Sequence, residues 1–302
     1  MPSITPRAFG STGLQVSALG FGAGHIGGSE LSEEQAAQLL SAALDMGITF
    51  IDTARGYGLS EERIGRHLSG RRASFVLSSK GGYGVDGAVD WTAEAVTLGI
   101  DGALGRLRTD VIDVFHLHSC PRDVLERGEV PEALTRAREA GKIRVCAYSG
   151  ENDALSWAID SGIFGSVQCS VNLCDQRSIV GGVARARARS LGVVAKRPLA
   201  NFAWRFADRP GGDYAETYWG RLRAMQATPG GAELPFGLSW PELALRFSAF
   251  APGVSSAIVG TRSLAHLRAS REIVARGPLP ADLFARLRSV FDSCDSGWEG
   301  QI

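Results

Sequence analysis

The stretch FIDTARGYGLSEERIG, residues 50–65, joins a β-rich run to a loop that contains glycine. The run covers residues 49–54 and carries Asp52 near its end, and the loop places Tyr57 between two glycines. Glycine permits backbone conformations that can turn the tyrosine ring inward, over the end of the predicted strand. We therefore expect a carboxylate and a phenol at the end of one strand.

Seven other short β-rich runs lie along the chain, and helical stretches separate them. The eight runs cover residues 16–22, 49–54, 75–80, 111–118, 143–149, 166–172, 193–199 and 256–260. Eight β-then-α units with short connections are typical of a closed parallel barrel rather than an open sheet. We therefore predict an α/β fold, a (β/α)8 TIM barrel, in which residues 1–302 form a single domain.

The segments between the runs carry helix start and stop signals. One predicted helix begins at Ser32, which two glutamates and a glutamine follow, and it ends at Gly47. Further helix starts are predicted at Thr92, Pro131 and Asn152, and Pro241 suits the first turn of a later helix. These helices would surround the barrel.

Three segments do not fit the repeat. Residues 6–18, PRAFGSTGLQVSA, have glycines among polar residues and predict a β-hairpin that caps the bottom of the barrel. Residues 201–239 form a long loop after the seventh strand that is rich in aromatic side chains, and we expect a helix near 213–226 within it. A final helix is predicted near 281–291, before a polar tail.

Composition limits the classes of partner. The 32 basic and 32 acidic residues give a formal charge of zero, which does not attract nucleic acid or an anionic membrane over a long range. The chain has no apolar run of the roughly 20 residues that span a bilayer and no signal-peptide pattern at its start, so we expect a cytoplasmic protein. The five cysteines lack CxxC spacing, and we predict reduced thiols and no metal site.

Two further polar residues end predicted strands. Lys80 ends the third run, and His118 ends the fourth. The C-terminal strand ends form the active face of a (β/α) barrel, so both side chains are expected near Asp52 and Tyr57. His116 lies on the same side of its strand as His118 but deeper, and we expect it to be a core histidine.

These four residues predict a proton-transfer site. An ordinary tyrosine, with a pKa of about 10, is a poor proton donor near neutral pH, and a neighbouring cation lowers that pKa. We expect Lys80 to be that cation and Asp52 to keep the lysine charged. His118 would donate a hydrogen bond to the oxygen that Tyr57 protonates. The implied chemistry is carbonyl reduction.

Other polar residues predict a site for a ligand that carries amide or hydroxyl groups and phosphate. Gln168 and Asn172 have the same parity in the sixth run, where a barrel interior normally carries apolar side chains, although this stripe would also suit residues that face the helices. Ser149 ends the fifth run and either begins a helix or touches a ligand. The loop IVGTRSLAHL after the last run precedes a predicted helix, whose N-terminus favours phosphate, and Arg262 adds a planar donor group.

In these features the chain resembles the aldo-keto reductase family. The matching stretches are FIDTARGYGLSEERIG, FVLSSKGG, VIDVFHLH, GKIRVCAYSG, SVQCSVN, RPLA and SAIVGTRSLAHL. The resemblance implies that Tyr57 donates the proton, that Lys80 and Asp52 tune it, and that His118 lies at the substrate carbonyl. It also implies an enzyme that uses NAD(P)H to reduce an aldehyde or ketone, or catalyses the reverse reaction, on a small carbonyl or alcohol substrate.

The resemblance also implies the residues that bind the cofactor, which is NADP with NAD as the alternative. Ser149 and Gln168 would hold the nicotinamide amide. The phosphates would lie over Gly260, Thr261, Arg262 and Ser263. The family commonly has a further polar residue after Ser149, where this chain has glycine, and it commonly has asparagine at the adenine, where this chain has Ser270. Lys196 is a second candidate, after Arg262, for the 2′-phosphate of NADP.

Two other functions fit the same residues. A Schiff-base aldolase or lyase on this barrel would use Lys80 as its nucleophile. A nucleotide-sensing subunit would bind the cofactor with little turnover, as in the β subunits of voltage-gated potassium channels, which resemble this family.

Overall fold

The computed structural model describes residues 6–302 and contains a closed parallel barrel. Its eight strands are β3 (Leu19–Gly22), β4 (Phe50–Asp52), β5 (Val76–Gly81), β6 (Ile112–His118), β7 (Ile143–Ser149), β8 (Ser166–Ser170), β9 (Gly192–Lys196) and β10 (Ser256–Val259). Each strand pairs with the next, and β10 pairs with β3 to close the barrel. The predicted (β/α)8 fold is confirmed. The first five residues of the predicted domain lie outside the described residues.

The predicted N-terminal hairpin is also present. Its strands are β1 (Pro6–Ala8) and β2 (Gln15–Ser17), which pair antiparallel. Phe9 is fully buried and packs with apolar side chains at the lower ends of the barrel strands. A side chain at Gly192 would meet the Phe9 ring at 2.8 Å, so glycine is required where the hairpin meets β9. The hairpin therefore closes the bottom of the barrel.

The prediction of one strand at residues 16–22 was wrong in detail. The stretch contains the end of β2 and the whole of β3, separated by Ala18. The chain passes here from the hairpin into the barrel, and the apolar pattern continues across the change. The boundary between the two strands cannot be recognised from the sequence, because Val16 and Leu19 on either side of it are both apolar and fully buried.

The strands carry apolar side chains at the bottom of the barrel interior and polar side chains at its mouth. Phe50, Val76, Val114 and Val145 belong to one buried cluster at the bottom. Asp52, Lys80, His118 and Ser149 lie two or four residues later on the same strands. Since side chains alternate along a strand, residues two or four apart project to the same side. The sequence therefore directs polar groups to the mouth.

Eleven α-helices occur within residues 6–302. They are α1 (Glu33–Asp45), α2 (Ser60–Leu68), α3 (Ala93–Leu107), α4 (Arg122–Arg127), α5 (Glu129–Glu139), α6 (Asn152–Asp160), α7 (Ala184–Ala188), α8 (Glu216–Ala227), α9 (Trp240–Ala249), α10 (Leu264–Ala275) and α11 (Ala281–Cys294). The Ser32 hydroxyl accepts from Gln35 N and the Gln35 side chain accepts from Ser32 N, which is a capping box at the start of α1. Thr92 caps α3 in the predicted place.

The segment after β9 is more structured than a loop. It contains a 3₁₀ helix (Ala200–Arg205) and then α8, which agrees with the helix expected near 213–226. Ala200, Asn201 and Phe202 all have positive φ, between 43° and 55°. This is the left-handed region, which non-glycine residues adopt at some cost, so the chain turns sharply as it leaves the mouth of the barrel.

The C-terminal tail returns to the mouth of the barrel. The Asn152 side chain bonds both the N–H and the carbonyl of Gly300, at 2.8 and 3.2 Å. Arg221 donates to the carbonyl of Glu299 at 2.6 Å. The tail therefore forms one side of the opening above the strand ends.

Candidate active site

Asp52 and Lys80 form a buried ion pair at the mouth of the barrel. Lys80 Nζ lies 2.5 Å from Asp52 Oδ2, and both side chains are only 1% exposed. Lys80 also donates to the carbonyl of Thr53 at 2.9 Å. The second carboxylate oxygen accepts from Ser78 Oγ at 2.8 Å and from Gln168 Nε2 at 3.2 Å. Both oxygens of the carboxylate thus accept hydrogen bonds from other strands of the barrel.

The ion pair fixes the charge of the lysine. Burial alone would lower the pKa of Lys80, but Asp52 and Tyr57 outweigh it, and the pKa is raised above its usual value. Lys80 therefore carries its proton throughout the physiological pH range. Its Nζ lies 5.0 Å from the centre of the Tyr57 ring, so a fixed positive charge faces the phenol.

Tyr57 reaches the mouth through a tight loop. Its backbone N–H donates to the carbonyl of Ala54 at 3.1 Å, and its ring lies against Gly24, where an added side chain would meet the ring at 3.6 Å. Gly58 has a φ of 53°, and a side chain there would meet the carbonyl of Gly27 at 2.5 Å. The glycine after Tyr57 is therefore required by both space and conformation.

His118 stands edge-on to Tyr57. The two ring centres are 5.9 Å apart with an interplanar angle of 88°. Burial, followed by the charge of Lys80, lowers the pKa of His118 to about 3. The imidazole is therefore neutral near pH 7. Its Nδ1 lies 3.1 Å from the hydroxyl of Tyr83, a residue that the sequence analysis missed although it lies three positions after Lys80.

His116 lies deeper in the barrel and is fully buried, which agrees with the expected core histidine. It pairs with Lys80 across β5 and β6. Burial, and secondly the Lys80 charge, lower its pKa to about 3. The structure therefore separates the two histidines of β6, since only His118 reaches Tyr57.

Ser149 and Gln168 meet on neighbouring strands. Ser149 Oγ donates to Gln168 Oε1 at 3.0 Å, and the amide nitrogen of Gln168 contacts Asp52. These residues therefore face the mouth of the barrel, and not the helices. Asn172 lies beyond the end of β8, where its Oδ1 accepts from Cys174 N at 2.9 Å, so it shapes the turn after the strand.

A cleft of about 890 Å³ runs from Asp52 and Tyr57 to the start of α10. The loop before this helix lines it with Gly260, Thr261, Arg262 and Ser263, and Ser270, about two turns along the helix, lines it as well. Ser263 caps α10 by accepting from His266 N at 3.3 Å. A side chain at Gly260 would meet the carbonyl of Gly22 at 3.0 Å, so glycine lets this loop lie against β3.

Lys196 and Arg197 differ in their access to this cleft. Lys196 Nζ lies 3.1 Å from the carboxylate of Glu151, and the lysine is absent from the lining of the cleft. Arg197 lines the cleft and donates to Ser170 Oγ at 3.0 Å, to the carbonyl of Gln301 and to the hydroxyl of Tyr214. Arg197 is a second residue that the sequence analysis missed, although it directly follows Lys196.

Arg262 has an acidic partner across the cleft. Its Nη1 lies 2.5 Å from Oε1 of Glu30, and both side chains are more than half exposed. The loop that carries Glu30 is held from below by Arg63, which donates to the carbonyls of Ile26, Gly28 and Leu31. The loop that Arg63 anchors thus places the Glu30 carboxylate beside Arg262, the residue that we predict to bind phosphate.

Residues 18–292 match the model of the Aldo/keto reductase family. The chain belongs to this family. L-galactose dehydrogenase of Arabidopsis thaliana is 31% identical over 214 residues, covering 66% of this chain and 67% of that one. D-threo-aldose 1-dehydrogenase of Pseudomonas sp is 28% identical, with coverage of 94% and 97%. An aldo-keto reductase from Bacillus halodurans, solved in its holo form, superposes with a TM-score of 0.81 at 25% identity and covers 95% of this chain.

Membership identifies this aldo-keto reductase as an oxidoreductase of carbonyl compounds. Within residues 6–302, no group of three or more histidine, cysteine or acidic side chains is arranged to hold a metal ion. No helix in that range has both the length and the apolar character needed to cross a membrane. All five cysteines are free in the structure.

Proposed function

We propose that this aldo-keto reductase interconverts a carbonyl compound and an alcohol with a nicotinamide dinucleotide, and that Tyr57 is the general acid in the direction of reduction. The observation that carries the proposal is the buried Lys80, which Asp52 holds charged at 2.5 Å and which lies 5.0 Å from the centre of the Tyr57 ring. A fixed cation beside a phenol favours loss of the phenolic proton. A general acid in this position typically supplies about 10² to 10⁴ in rate.

His118, whose ring centre lies 5.9 Å from that of Tyr57, supports the same step. Because the imidazole is neutral near pH 7, it does not compete with Tyr57 as the proton donor. It can still donate one hydrogen bond to the reacting oxygen. Tyr57 would then protonate that oxygen while His118 holds it in place, which orients the substrate as well as stabilising the developing charge.

The cleft and the strand ends beside it carry groups that suit both the amide and the phosphates of a nicotinamide dinucleotide. At the strand ends beside Asp52, Ser149 and Gln168 carry hydroxyl and amide groups that suit a carboxamide. At the far end of the cleft, the N-terminus of α10 and Arg262 suit phosphate, and Arg197 lies along the same cleft. The bound cofactor supplies or accepts the hydride. The chain itself binds, orients and moves the proton on oxygen.

The relatives favour sugars as the first substrates to test. Two of them are named for L-galactose and for D-threo-aldoses, and both are named as dehydrogenases. We propose that this chain acts on a sugar or on a similar polyhydroxy carbonyl compound. A panel of aldoses with oxidised cofactor, and of simple aldehydes with reduced cofactor, would give both the substrate class and the direction.

The state of Lys80 argues against a Schiff-base enzyme. A nucleophilic lysine must be neutral and accessible, whereas Lys80 is 1% exposed, bonded to Asp52 and shifted to a higher pKa. A nucleotide-sensing subunit would keep the cleft without needing catalysis. The contacts of Lys80 with Asp52 and Tyr57, and of Tyr57 with His118, favour turnover instead.

The test is titration with NADPH and NADH, followed by the substrate panel with wild-type protein and Tyr57→Phe. We expect kcat of the variant to fall by about 10² or more while cofactor affinity stays within a few-fold. Tyr148→Phe is the matched control, because it removes a buried hydroxyl that bonds the carbonyl of Cys120, away from the cleft. A Tyr57→Phe variant as active as this control would rule out the assignment.

A further inference from the structure

Tyr83 lies in the loop that follows β5, beside the proposed active site. The loop is closed by two hydrogen bonds, from Trp91 N to the carbonyl of Gly82 at 2.8 Å and from Gly84 N to Asp90 Oδ1, also at 2.8 Å. The Tyr83 ring packs on Trp91 with ring centres 5.5 Å apart. This packing leaves the hydroxyl at the end of the ring, directed at His118.

The hydroxyl meets one particular nitrogen of His118. The distance from Tyr83 Oη to His118 Nδ1 is 3.1 Å, which is hydrogen-bond distance, and the ring centres are 5.7 Å apart. A neutral imidazole carries one proton, on either Nδ1 or Nε2, and the partner of one nitrogen decides which. The Tyr83 contact can therefore control where the proton of His118 lies.

The donor in this contact depends on the tautomer, because a hydroxyl can donate to a bare Nδ1 or accept from an Nδ1–H. Burial, followed by the Tyr57 phenol, raises the pKa of Tyr83, so its hydroxyl keeps its proton and remains a donor. His118 is neutral near pH 7. Donation from Tyr83 requires that Nδ1 carries no proton, and the single proton of the neutral ring then lies on Nε2, directed away from Tyr83.

We propose that Tyr83 is a positioning residue that selects the Nε2–H tautomer of His118 and holds the ring so that this N–H is the donor to the substrate oxygen beside Tyr57. The proposal rests on the proposed function, since it concerns the same carbonyl site. Tyr83 does not itself touch the reacting atoms in this account. It acts through the hydrogen bond to His118.

The direct test is ¹⁵N NMR of histidine side chains in the full chain near pH 7. The signals of His118 are identified among those of the five histidines by their absence in His118→Gln. In wild-type protein we expect the proton of His118 on Nε2, with Nδ1 unprotonated and hydrogen-bonded. In Tyr83→Phe we expect the Nδ1 resonance to move towards that of a free imine nitrogen. Tyr148→Phe is again the matched control, and it should leave the His118 signals in place.

Kinetics give the second readout. Removing one neutral hydrogen bond costs about 0.5 to 1.5 kcal/mol, so kcat/KM of Tyr83→Phe should fall roughly 2- to 12-fold while cofactor affinity is unchanged. Three results would overturn the proposal: a wild-type proton on Nδ1, an unchanged Nδ1 resonance in Tyr83→Phe, or a shifted resonance with undiminished kcat/KM. The NMR readout needs no turnover. A chain that shows the expected tautomer but reduces no carbonyl compound would therefore refute the proposed function and leave the tautomer assignment standing.

Discussion

Lys80 Nζ contacts Asp52 Oδ2 at 2.5 Å, and each of the two side chains is only 1% exposed to solvent. A buried pair of this kind adds little net stability when it is complete, because desolvation of both charges offsets their attraction. Its loss is costly only when one charge is left behind. The pair is therefore better explained by what it does to Tyr57 than by its contribution to the fold.

Lys80→Met should abolish activity and also destabilise the chain. The buried Asp52 carboxylate would lose its cation, which typically costs about 3 to 5 kcal/mol, and Tyr57 would lose the positive charge that faces it. Urea unfolding and kcat measure the two effects separately. The double variant Asp52→Asn with Lys80→Met should regain much of the stability but none of the activity. A Lys80→Met variant with wild-type kcat would contradict the assigned role.

The barrel and its four catalytic candidates could be predicted because two sequence signals agree. Eight apolar runs separated by helical segments define the fold, and Asp52, Lys80 and His118 end their runs with polar groups that a barrel interior does not otherwise need. Because side chains alternate along a strand, the positions of these residues also determine whether they point into the barrel or towards the helices. Tyr57 required only the additional assumption that its glycine-flanked loop turns inward.

Contacts between loops could not be predicted in this way. Tyr83 meets His118 only because the loop after β5 folds back onto Trp91, and nothing in the spacing of these residues reveals that path. Lys196 and Arg197 are adjacent in sequence, yet the positive φ of Arg197, 54°, turns the chain at the end of β9 so that the second residue lines the cleft. Such backbone reversals at non-glycine residues have no clear sequence signal.

His116 should make the folded state sensitive to acid. Burial lowers its pKa in the folded chain to about 3, below the ordinary value of 6.5. As the pH falls below 6.5, the unfolded chain binds a proton at this position and the folded chain does not. Stability from this group is therefore complete above about pH 6.5 and is lost as the pH falls towards 3, by about 1.4 kcal/mol per pH unit within that window.

His116→Met should lower the slope of the free energy of unfolding against pH by about 1.4 kcal/mol per pH unit, which corresponds to one proton. The measurement is urea unfolding at several pH values between about 4 and 6.5, which lie between the two pKa values. His266→Met is the control, because this ring is exposed on α10 and its surroundings change little on unfolding. Equal slopes for wild-type protein and His116→Met would show that His116 does not have the low pKa that its burial implies.

Arg262 should decide between the two cofactors. An arginine can bond a phosphate with two parallel N–H groups, and such a bond is stronger than an ordinary hydrogen bond. Arg262→Ala should therefore weaken NADPH by roughly 10-fold or more, which is about 1.4 kcal/mol or more, and change NADH little. Arg268→Ala is the matched control, since Arg268 is exposed on α10, the helix that follows Arg262, and does not line the cleft. Equal weakening of both cofactors would place Arg262 on the shared pyrophosphate.

Glu30 should weaken the preference for NADPH that Arg262 provides. Its ion pair with Arg262 at 2.5 Å is exposed, and exposed pairs contribute only about 0.2 to 1 kcal/mol, so a 2′-phosphate can displace the carboxylate. The negative charge nevertheless remains close to that phosphate, because Arg63 fixes the loop that carries it. Glu30→Gln should therefore strengthen NADPH binding by about 2- to 5-fold and leave NADH nearly unchanged, by removing one exposed charge repulsion. Fluorescence titration with each cofactor gives the two dissociation constants, and their ratio measures the preference for NADPH over NADH. An unchanged ratio in Glu30→Gln, together with a lowered one in Arg262→Ala, would mean that the carboxylate turns away when NADPH binds.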